Sequence, residues 1–159
     1  MRKYILTSLG IFLADQIIKA IATSKIPDDG IFAVSGHFLK LLFRISYNTH
    51  LAWSIALPAI LEMLLPLILI VFLFYAIARQ FFNGKMENFV LAAIAGAAIS
   101  NLADRFFYGG VVDFISASVY NFTWPSFNFA DIIITFGAIF LIIRILFPPT
   151  SPAAEAGGK

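Results

Sequence analysis

The stretch from Phe127 to Leu146, FNFADIIITFGAIFLIIRIL, decides the fold class. It carries two charged side chains, Asp131 near its start and Arg144 near its end, and is otherwise almost entirely apolar. A helix of about 20 apolar residues crosses the roughly 30 Å hydrocarbon core of a bilayer. The stretch therefore predicts a transmembrane helix whose first turn is polar.

Three further windows of this kind precede it, at residues 4–22, 58–78 and 88–107. The 159-residue chain is 60% hydrophobic and 13% charged, with a mean hydropathy of +0.90. Soluble domains carry about 25% charged residues, so this composition excludes a disordered chain and disfavours a water-soluble enzyme. The lack of cysteine excludes a disulfide framework and a cysteine nucleophile. We expect an all-α polytopic membrane protein with four transmembrane helices, one domain over residues 1–147 and a flexible cytoplasmic tail over 148–159.

The first window has a second interpretation, because Arg2 and Lys3 precede an apolar run as they do in a signal peptide. Asp15 and Lys19 lie inside that run. The apolar core of a signal peptide carries no charge, so we interpret the window as a membrane span.

Basic residues set the expected orientation. Four spans place on one side Arg2, Lys3, Arg79, Lys85, Arg144 and Lys159. Because basic residues concentrate in the cytoplasm, we expect both termini there and the segments 23–57 and 108–126 on the periplasmic side. The net charge of only +2 gives no reason to expect a nucleic-acid partner.

The first of these outer segments alternates between apolar and polar residues from Phe38 to Asn48, which is the period of a half-buried strand. Strict alternation would put on one face Leu39, Leu41, Phe43, Ile45 and Tyr47, and on the other Lys40, Arg44, Ser46 and Asn48. Such a strand predicts a small amphipathic sheet at the membrane surface.

Polar side chains gather at one depth of the predicted spans. An ionisable residue in a span costs about 2.5–3.5 kcal/mol on insertion scales, so it marks a candidate site. Asp15 lies about 10 Å below the outer end of the first span, at 1.5 Å per residue. Asn101 and Asp131 lie similarly close to the outer ends of the third and fourth spans. The outer loop with Asp113 and the strand that ends at Asn48 reach the same layer, which predicts one polar site.

Each of these groups also has a structural interpretation when it is taken alone. Asp15 and Lys19 could form an ion pair on one helix face, and Asp104-Arg105 could mark a helix end at the interface. Asn128 could cap the fourth helix, and Asp113 could be an ordinary loop carboxylate. Their shared depth favours a joint site.

Asp113 and Asp131 suit an aspartic mechanism. Two close acids in a poorly hydrated site share one proton, and such a pair can activate water and protonate a leaving amide. Asp15 and Lys19 would orient the surrounding donors. Donors to the developing oxyanion or the substrate carbonyl would come from Asn48, Asn101, Asn128 and Arg105. This mechanism needs no metal and no cofactor.

Five motifs spread from the first span to the last form a specific set. They are Asp15-Gln16-Ile17-Ile18-Lys19, Asn48-Thr49-His50-Leu51-Ala52-Trp53-Ser54, Ala97-Ala98-Ile99-Ser100-Asn101-Leu102-Ala103-Asp104-Arg105, Val111-Val112-Asp113-Phe114 and Phe127-Asn128-Phe129-Ala130-Asp131. In this order they resemble the lipoprotein signal peptidases, or signal peptidase II family, which are bacterial aspartic proteases of the inner membrane.

The resemblance implies that Asp113 and Asp131 form a catalytic dyad. It places at supporting positions Asp15, Lys19, Asn48, Asn101, Asp104, Arg105, Asn128 and Ala130. It also implies four transmembrane helices with an outer β-structured cradle, and cleavage of prolipoproteins just before a diacylglyceryl-modified cysteine. The expected partners are then these precursors and membrane lipids. We expect a monomer with its active site near the periplasmic face.

Two departures from the family pattern bear on this hypothesis. His50 and Leu51 stand where the family usually has Gly and Ala, and Ser100 stands where it usually has Gly. The first departure leaves open an inactive homologue that only binds lipoproteins. A small ion- or proton-coupled carrier is a further alternative, but it requires polar residues through the whole bilayer depth. The inner halves of the second and fourth spans have almost none.

Overall fold

A computed structural model describes residues 1–49, 58–79 and 84–147. The elements in those residues follow in the order α1 (Arg2–Lys25), β1 (Ile31–Ser35), β2 (Leu39–Asn48), α2 (Ala59–Ala78), α3 (Lys85–Tyr108), β3 (Val111–Val119), β4 (Phe122–Thr123) and α4 (Phe129–Leu146). Each predicted window contains a helix whose ends agree with the prediction within about three residues. The tail 148–159, His50 and Leu51 lie outside the described residues.

Three of these helices, α1, α3 and α4, are long and apolar enough to cross a membrane. In α2 the apolar stretch Met63–Ala78 is shorter, so the span over 58–78 stays a prediction. Large apolar side chains remain exposed on the outer faces, with Ile17 at 59% and Phe136 at 68%. Exposed apolar surface on this scale is typical of helices that face lipid.

The helix α3 lies at the centre of the bundle because its small side chains let its neighbours approach closely. Ala92, Ala95 and Ala97 are fully buried. The apolar core joins α3 to α2 and α4, and its members include Leu73 and Leu141.

Hydrogen bonds give the helix directions. The Ser8 hydroxyl on α1 donates to the Ala92 carbonyl on α3 at 2.7 Å. Residue numbers rise together along the two helices, since Gln16 lies beside Ser100; α1 and α3 are therefore parallel. Their C-terminal ends lie at the same end of the bundle.

The helix α4 runs antiparallel to α3. Its first turn contacts the C-terminal half of α3, where Asn101 reaches Asp131. Its last turn contacts the start of α3, where Arg144 and Glu87 form an ion pair at 2.5 Å. The polar start of α4 is thereby fixed beside the C-terminal half of α3.

Gly96 lies where α1 and α3 touch. A Cβ built there would lie 2.8 Å from Ser8 Cα and would collide with the Ser8 carbonyl. We expect Gly96→Ala to destabilise the fold by roughly 1–3 kcal/mol, because overpacking forces the backbones apart. The apparent melting temperature in detergent checks this.

Gly10→Ala is the matched control, because a Cβ at Gly10 on α1 meets nothing within 4 Å. It should leave the melting temperature unchanged or raise it slightly, since alanine favours helix more than glycine does. Equal losses in both variants would contradict the close approach at Gly96.

The strands form one antiparallel sheet in the order β1-β2-β3-β4. The strand predicted between Phe38 and Asn48 is confirmed as β2. The prediction that Asp113 lies in a loop is wrong, because it lies in β3. The run after Gly109-Gly110 is rich in β-branched residues, and it pairs with β2 along its whole length.

The strict alternation predicted for β2 is also wrong, because a bulge interrupts it. Phe43 lies opposite Ile115, but Ser46 lies opposite Asp113, so β2 has one residue more than β3 between these pairs. An extra residue reverses the side-chain alternation beyond it. Asn48 therefore lies on the same sheet face as Asp113, together with Phe43.

Candidate active site

Asp113 is held deep in the protein by the turn that precedes it. The helix α3 ends at Gly109, whose positive φ of 72° places it in the left-handed region that favours glycine. The chain then enters β3, and Asp113 is 1% exposed. The other side of β3 pairs with Phe127, whose carbonyl accepts the amide of Ile115 at 3.0 Å. This pairing brings β3 against the start of α4.

Asp131 lies in the first turn of α4 and takes part in its cap. The Asn128 side chain accepts the amide of Asp131 at 3.0 Å, and the Asp131 carboxylate accepts the amide of Asn128 at 3.1 Å. This is a capping box, so the predicted capping role of Asn128 is confirmed. The cap fixes one oxygen of Asp131 against the helix end.

Asn128 also joins the two acids. Its fully buried side-chain amide donates to Asp113 Oδ1 at 2.8 Å and to Asn101 Oδ1 at 3.1 Å. Asn101 in turn donates to Asp131 Oδ1 at 2.9 Å. Asp113 and Asp131 thus meet across two amide side chains, as their predicted depth required.

A buried cation lies behind this pair. The Lys19 ammonium contacts the carboxylates of Asp15 at 2.6 Å and Asp104 at 2.7 Å. It also donates to Asn101 Oδ1 at 2.9 Å. All three donors of the ammonium are used, and Lys19 is 3% exposed. We call Asp15, Lys19, Asn101 and Asp104 the Lys19 network.

The two carboxylates of this network bind backbone amides next to the candidate dyad. Asp15 Oδ1 accepts the amide of Ala130 at 2.9 Å, one residue before Asp131. Asp104 Oδ2 accepts the amide of Val112 at 3.1 Å, one residue before Asp113. Each candidate acid is therefore tied to Lys19 through the residue that precedes it.

Two members of the site were missed by the sequence analysis. The Ser100 hydroxyl donates to Asp15 Oδ2 at 2.6 Å. The Gln16 amide donates to Ser100 Oγ at 2.9 Å and to Asp104 Oδ1 at 2.8 Å. Helical spacing could have indicated both residues. Gln16 lies three residues before Lys19 and Ser100 lies four before Asp104, which places each pair on one helix face.

The pKa of Asp113 is raised from an ordinary value of 3.8 to about 7. Burial is the main cause, and the charge of Asp131 adds to it. Hydrogen bonds from Asn128 and Asn48 and the charge of Lys19 oppose the rise. The predicted contact of Asn48 with the site is thus present, and Asp113 holds a proton at a pH where an ordinary carboxyl is ionised.

We expect Asp113→Asn to be more thermally stable than the wild type at pH 8, and equally stable at pH 4. The folded wild type keeps a proton up to about pH 7 that the unfolded chain loses near pH 3.8. The contribution of Asp113 to the free energy of unfolding is therefore full below about pH 4 and is lost as the pH rises through 7. Asparagine has no charge to bury, so the difference in the free energy of unfolding at pH 8 should be about 4 kcal/mol.

Fluorescence of the chain's two tryptophans during heating in detergent measures this difference. A variant that follows the wild type at both pH values would contradict a protonated Asp113 in the folded protein.

The two acids lie at the polar end of a cavity of about 500 Å³. Asn48, Asn101 and Arg105 line the same end. The remaining walls are mostly apolar and come from α2, α4 and the segment before α4; they include Leu65, Pro66, Leu69, Trp124, Phe127, Ile132 and Phe136. The cavity thus joins a pair of carboxylates and several amide donors to a surface suited to hydrocarbon.

The described residues bring together the whole predicted set, either at the cavity or in the network behind it. Asp104 and Ala130 lie behind the acids, whereas Arg105 lines the cavity. Within residues 1–49, 58–79 and 84–147, no group of three or more metal-ligating side chains is placed to hold an ion. The chemistry that this arrangement supports is proton transfer between paired carboxylates beside an apolar cleft.

Comparison with known proteins gives one consistent result. A family model described as signal peptidase (SPase) II matches residues 7–147. The lipoprotein signal peptidase of Francisella tularensis subsp. mediasiatica is 32% identical over 152 residues, which cover 91% of this chain and 92% of that protein. The lipoprotein signal peptidase of Thermodesulfovibrio yellowstonii is 32% identical over 143 residues, which cover 88% of this chain and 94% of that protein.

Solved structures agree with this result. A bacterial membrane enzyme superposes with a TM-score of 0.69 at 28% identity, covering 92% of this chain and 88% of that one. A second bacterial membrane enzyme also gives a TM-score of 0.69, at 26% identity, and the match covers 94% of this chain and 96% of that one. The match extends over both the helices and the sheet that hold the site, and the chain belongs to the signal peptidase II family.

Proposed function

We propose that this protein removes signal peptides from prolipoproteins by cleaving before the diacylglyceryl-modified cysteine, with Asp113 and Asp131 as its catalytic dyad. Membership of the family makes the chain a bacterial membrane protease that processes prolipoproteins. The dyad rests mainly on one observation, the meeting of two carboxylates at the polar end of an otherwise apolar cavity.

The contacts of the two acids suggest their roles. The raised pKa of Asp113 makes it the holder of the shared proton. Asp131 takes the ionised role, because its carboxylate accepts hydrogen bonds from the amides of Asn128 and Asn101. Asp131 takes a proton from water as the water oxygen attacks the scissile carbonyl carbon. Asp113 then gives its proton to the amide nitrogen as the C–N bond breaks. Asp131 returns the proton gained from water to Asp113 before the next cycle.

Amide and guanidinium donors face the reacting carbonyl. Asn101 and Arg105 line the cavity beside the two acids. Preorganised donors of this kind stabilise the negative charge that develops on a carbonyl oxygen in the transition state. Asn128 already donates to Asp113 and Asn101, so its role is to position the acids. Arg105 is then the best candidate to donate to the oxyanion.

The apolar walls suit the lipid part of the substrate. The cavity lining includes Leu65 and Leu69 from α2 and Phe136 from α4. An acyl chain buried there contributes about 0.8 kcal/mol for each CH₂ group. We therefore propose that the lipid enters between these helices from the outer leaflet, that both termini are cytoplasmic, and that the active site is near the periplasmic face.

A cleavage assay with two matched precursors tests the proposal. The purified protein, in lipid nanodiscs, receives a synthetic prolipoprotein segment with or without the diacylglyceryl group on its cysteine. We expect cleavage directly before the lipidated cysteine, little cleavage of the unlipidated segment, and no effect of a chelator. No cleavage of either precursor would favour an inactive, lipoprotein-binding homologue.

The ion- or proton-coupled carrier receives no support from these observations. The candidate relay groups for such a carrier are the ionisable residues Asp15, Lys19 and Asp131. Asp15 and Lys19 instead lie in a buried network whose contacts are to the amides and carboxylates around the dyad. A relay would need these charges to reach water on both sides of the membrane.

A further inference from the structure

The side of the Lys19 network that faces away from the cavity is closed by two neutral side chains. Ser100 on α3 is fully buried, and Gln16 on α1 is partly buried. The Ser100 hydroxyl donates to Asp15, and the Gln16 amide donates to both Ser100 and Asp104. These contacts join the two carboxylates of the network by a second route that does not pass through Lys19.

Each carboxylate reached by this route holds one half of the dyad. Asp15 binds the amide before Asp131 at 2.9 Å, and Asp104 binds the amide before Asp113 at 3.1 Å. A rotation of either carboxylate would move the strand or the helix end that carries the corresponding acid. Lys19 alone does not prevent such a rotation, because an ammonium is a point charge with freely rotating donors. The hydroxyl and the amide are directional and fix each carboxylate plane.

We propose that Gln16 and Ser100 are positioning residues for the cleavage reaction: they fix the planes of Asp15 and Asp104, and thereby the spacing of Asp113 and Asp131. The inference rests on the proposed function, since it concerns the geometry of that dyad. Neither residue lines the cavity, so both act through their neighbours and leave substrate binding unchanged.

The chain offers a close control for Ser100. Ser8 lies on the same helix pair, is 4% exposed, and donates its hydroxyl from α1 to α3 at 2.7 Å. Ser8→Ala removes one buried hydrogen bond between α1 and α3. Ser100→Ala removes a buried bond to Asp15 and a partly buried bond from Gln16, between the same two helices. The two serines differ in that the Ser8 bond ends on a backbone carbonyl in the other half of the bundle.

The test compares Ser100→Ala, Gln16→Met and their double variant with Ser8→Ala, using the lipidated precursor in nanodiscs. We expect Ser100→Ala and Gln16→Met each to lower kcat by about tenfold with KM within about twofold of the wild type, because small misplacements of reacting groups reduce the rate strongly. The double variant should lose less than the product of the single losses, since both residues act on the same carboxylates. Ser8→Ala should keep the wild-type kcat.

Melting temperatures separate positioning from stability. Ser100→Ala should melt below Ser8→Ala, because it loses two hydrogen bonds and one of these ends on a carboxylate. At a temperature where both variants are fully folded, only Ser100→Ala should lose kcat. If their kcat values are equal, the inference is overturned. If the wild type cleaves the precursor and Ser100→Ala cleaves it with the same kcat, this inference alone is overturned. A wild type that fails to cleave overturns the proposed function as well. If Ser100→Ala does not fold, the kcat of Gln16→Met tests the inference instead. Gln16 is only partly buried, so its substitution should disturb the fold less.

Discussion

Asp113→Asn and Asp131→Asn are each expected to lower kcat for the lipidated precursor by about 10²–10⁴-fold, the range that a positioned acid or base contributes. An amide at either position can neither accept the proton of the attacking water nor supply one to the leaving nitrogen. KM should change little, because the apolar walls that bind the lipid are unaltered. Initial rates at saturating precursor measure the effect.

Two features keep this test free of folding artefacts. Asp113→Asn is expected to be at least as stable as the wild type near neutral pH, because it removes a buried carboxyl that resists ionisation. Asp29→Asn provides a control for the loss of an acid, since Asp29 is exposed at the same end of the bundle. Near wild-type processing by either dyad variant would show that the reaction does not use this pair.

Lys19→Met should cause the largest loss of stability, about 3–5 kcal/mol. Methionine fills much of the same space but leaves Asp15 and Asp104 buried at 0% and 1% exposure without their shared cation. Removal of one partner from a buried ion pair is costly, because the remaining charge has lost its hydration. The melting temperature in detergent should fall steeply, and the activity of the surviving folded fraction should fall with it.

A triple variant and a surface lysine complete this test. Lys19→Met combined with Asp15→Asn and Asp104→Asn should recover much of the stability, since neutral side chains do not need a cation. Lys25→Met, at the exposed end of the same helix, should melt like the wild type. A stable Lys19→Met single variant would contradict the arrangement of charges described here.

The helices and their shared polar layer could be predicted from the sequence because both follow from local rules. Twenty apolar residues set a helix length, and the cost of charge in a bilayer marks Asp15 and Asp131 as unusual. Alternating spans then place those residues at one depth without any knowledge of packing. The strand β2 could be predicted for the same reason, because the alternation of apolar and polar side chains is visible in consecutive residues.

Features that depend on pairing between distant segments could not be predicted in this way. The bulge that turns Asn48 towards Asp113 exists because β2 has an extra residue relative to β3. No periodicity within β2 reveals that mismatch. The role of Ser100 could not be predicted either. A serine in place of the family's usual glycine indicates only a close helix contact, for which both small residues are suited. Only the position of Asp15 across the interface gives its hydroxyl an acceptor.

The Lys19 network has a consequence for biosynthesis. Helix α1 carries both Asp15 and Lys19, which are 2.6 Å apart in space and four residues apart in the chain, so the two charges balance within one helix as it enters the bilayer. Asp104 arrives later with α3, and Asp131 arrives with α4. Under the proposed mechanism, a ribosome-bound intermediate that still lacks α4 has no complete proteolytic centre. That mechanism therefore predicts that an incompletely inserted chain cannot hydrolyse neighbouring nascent chains.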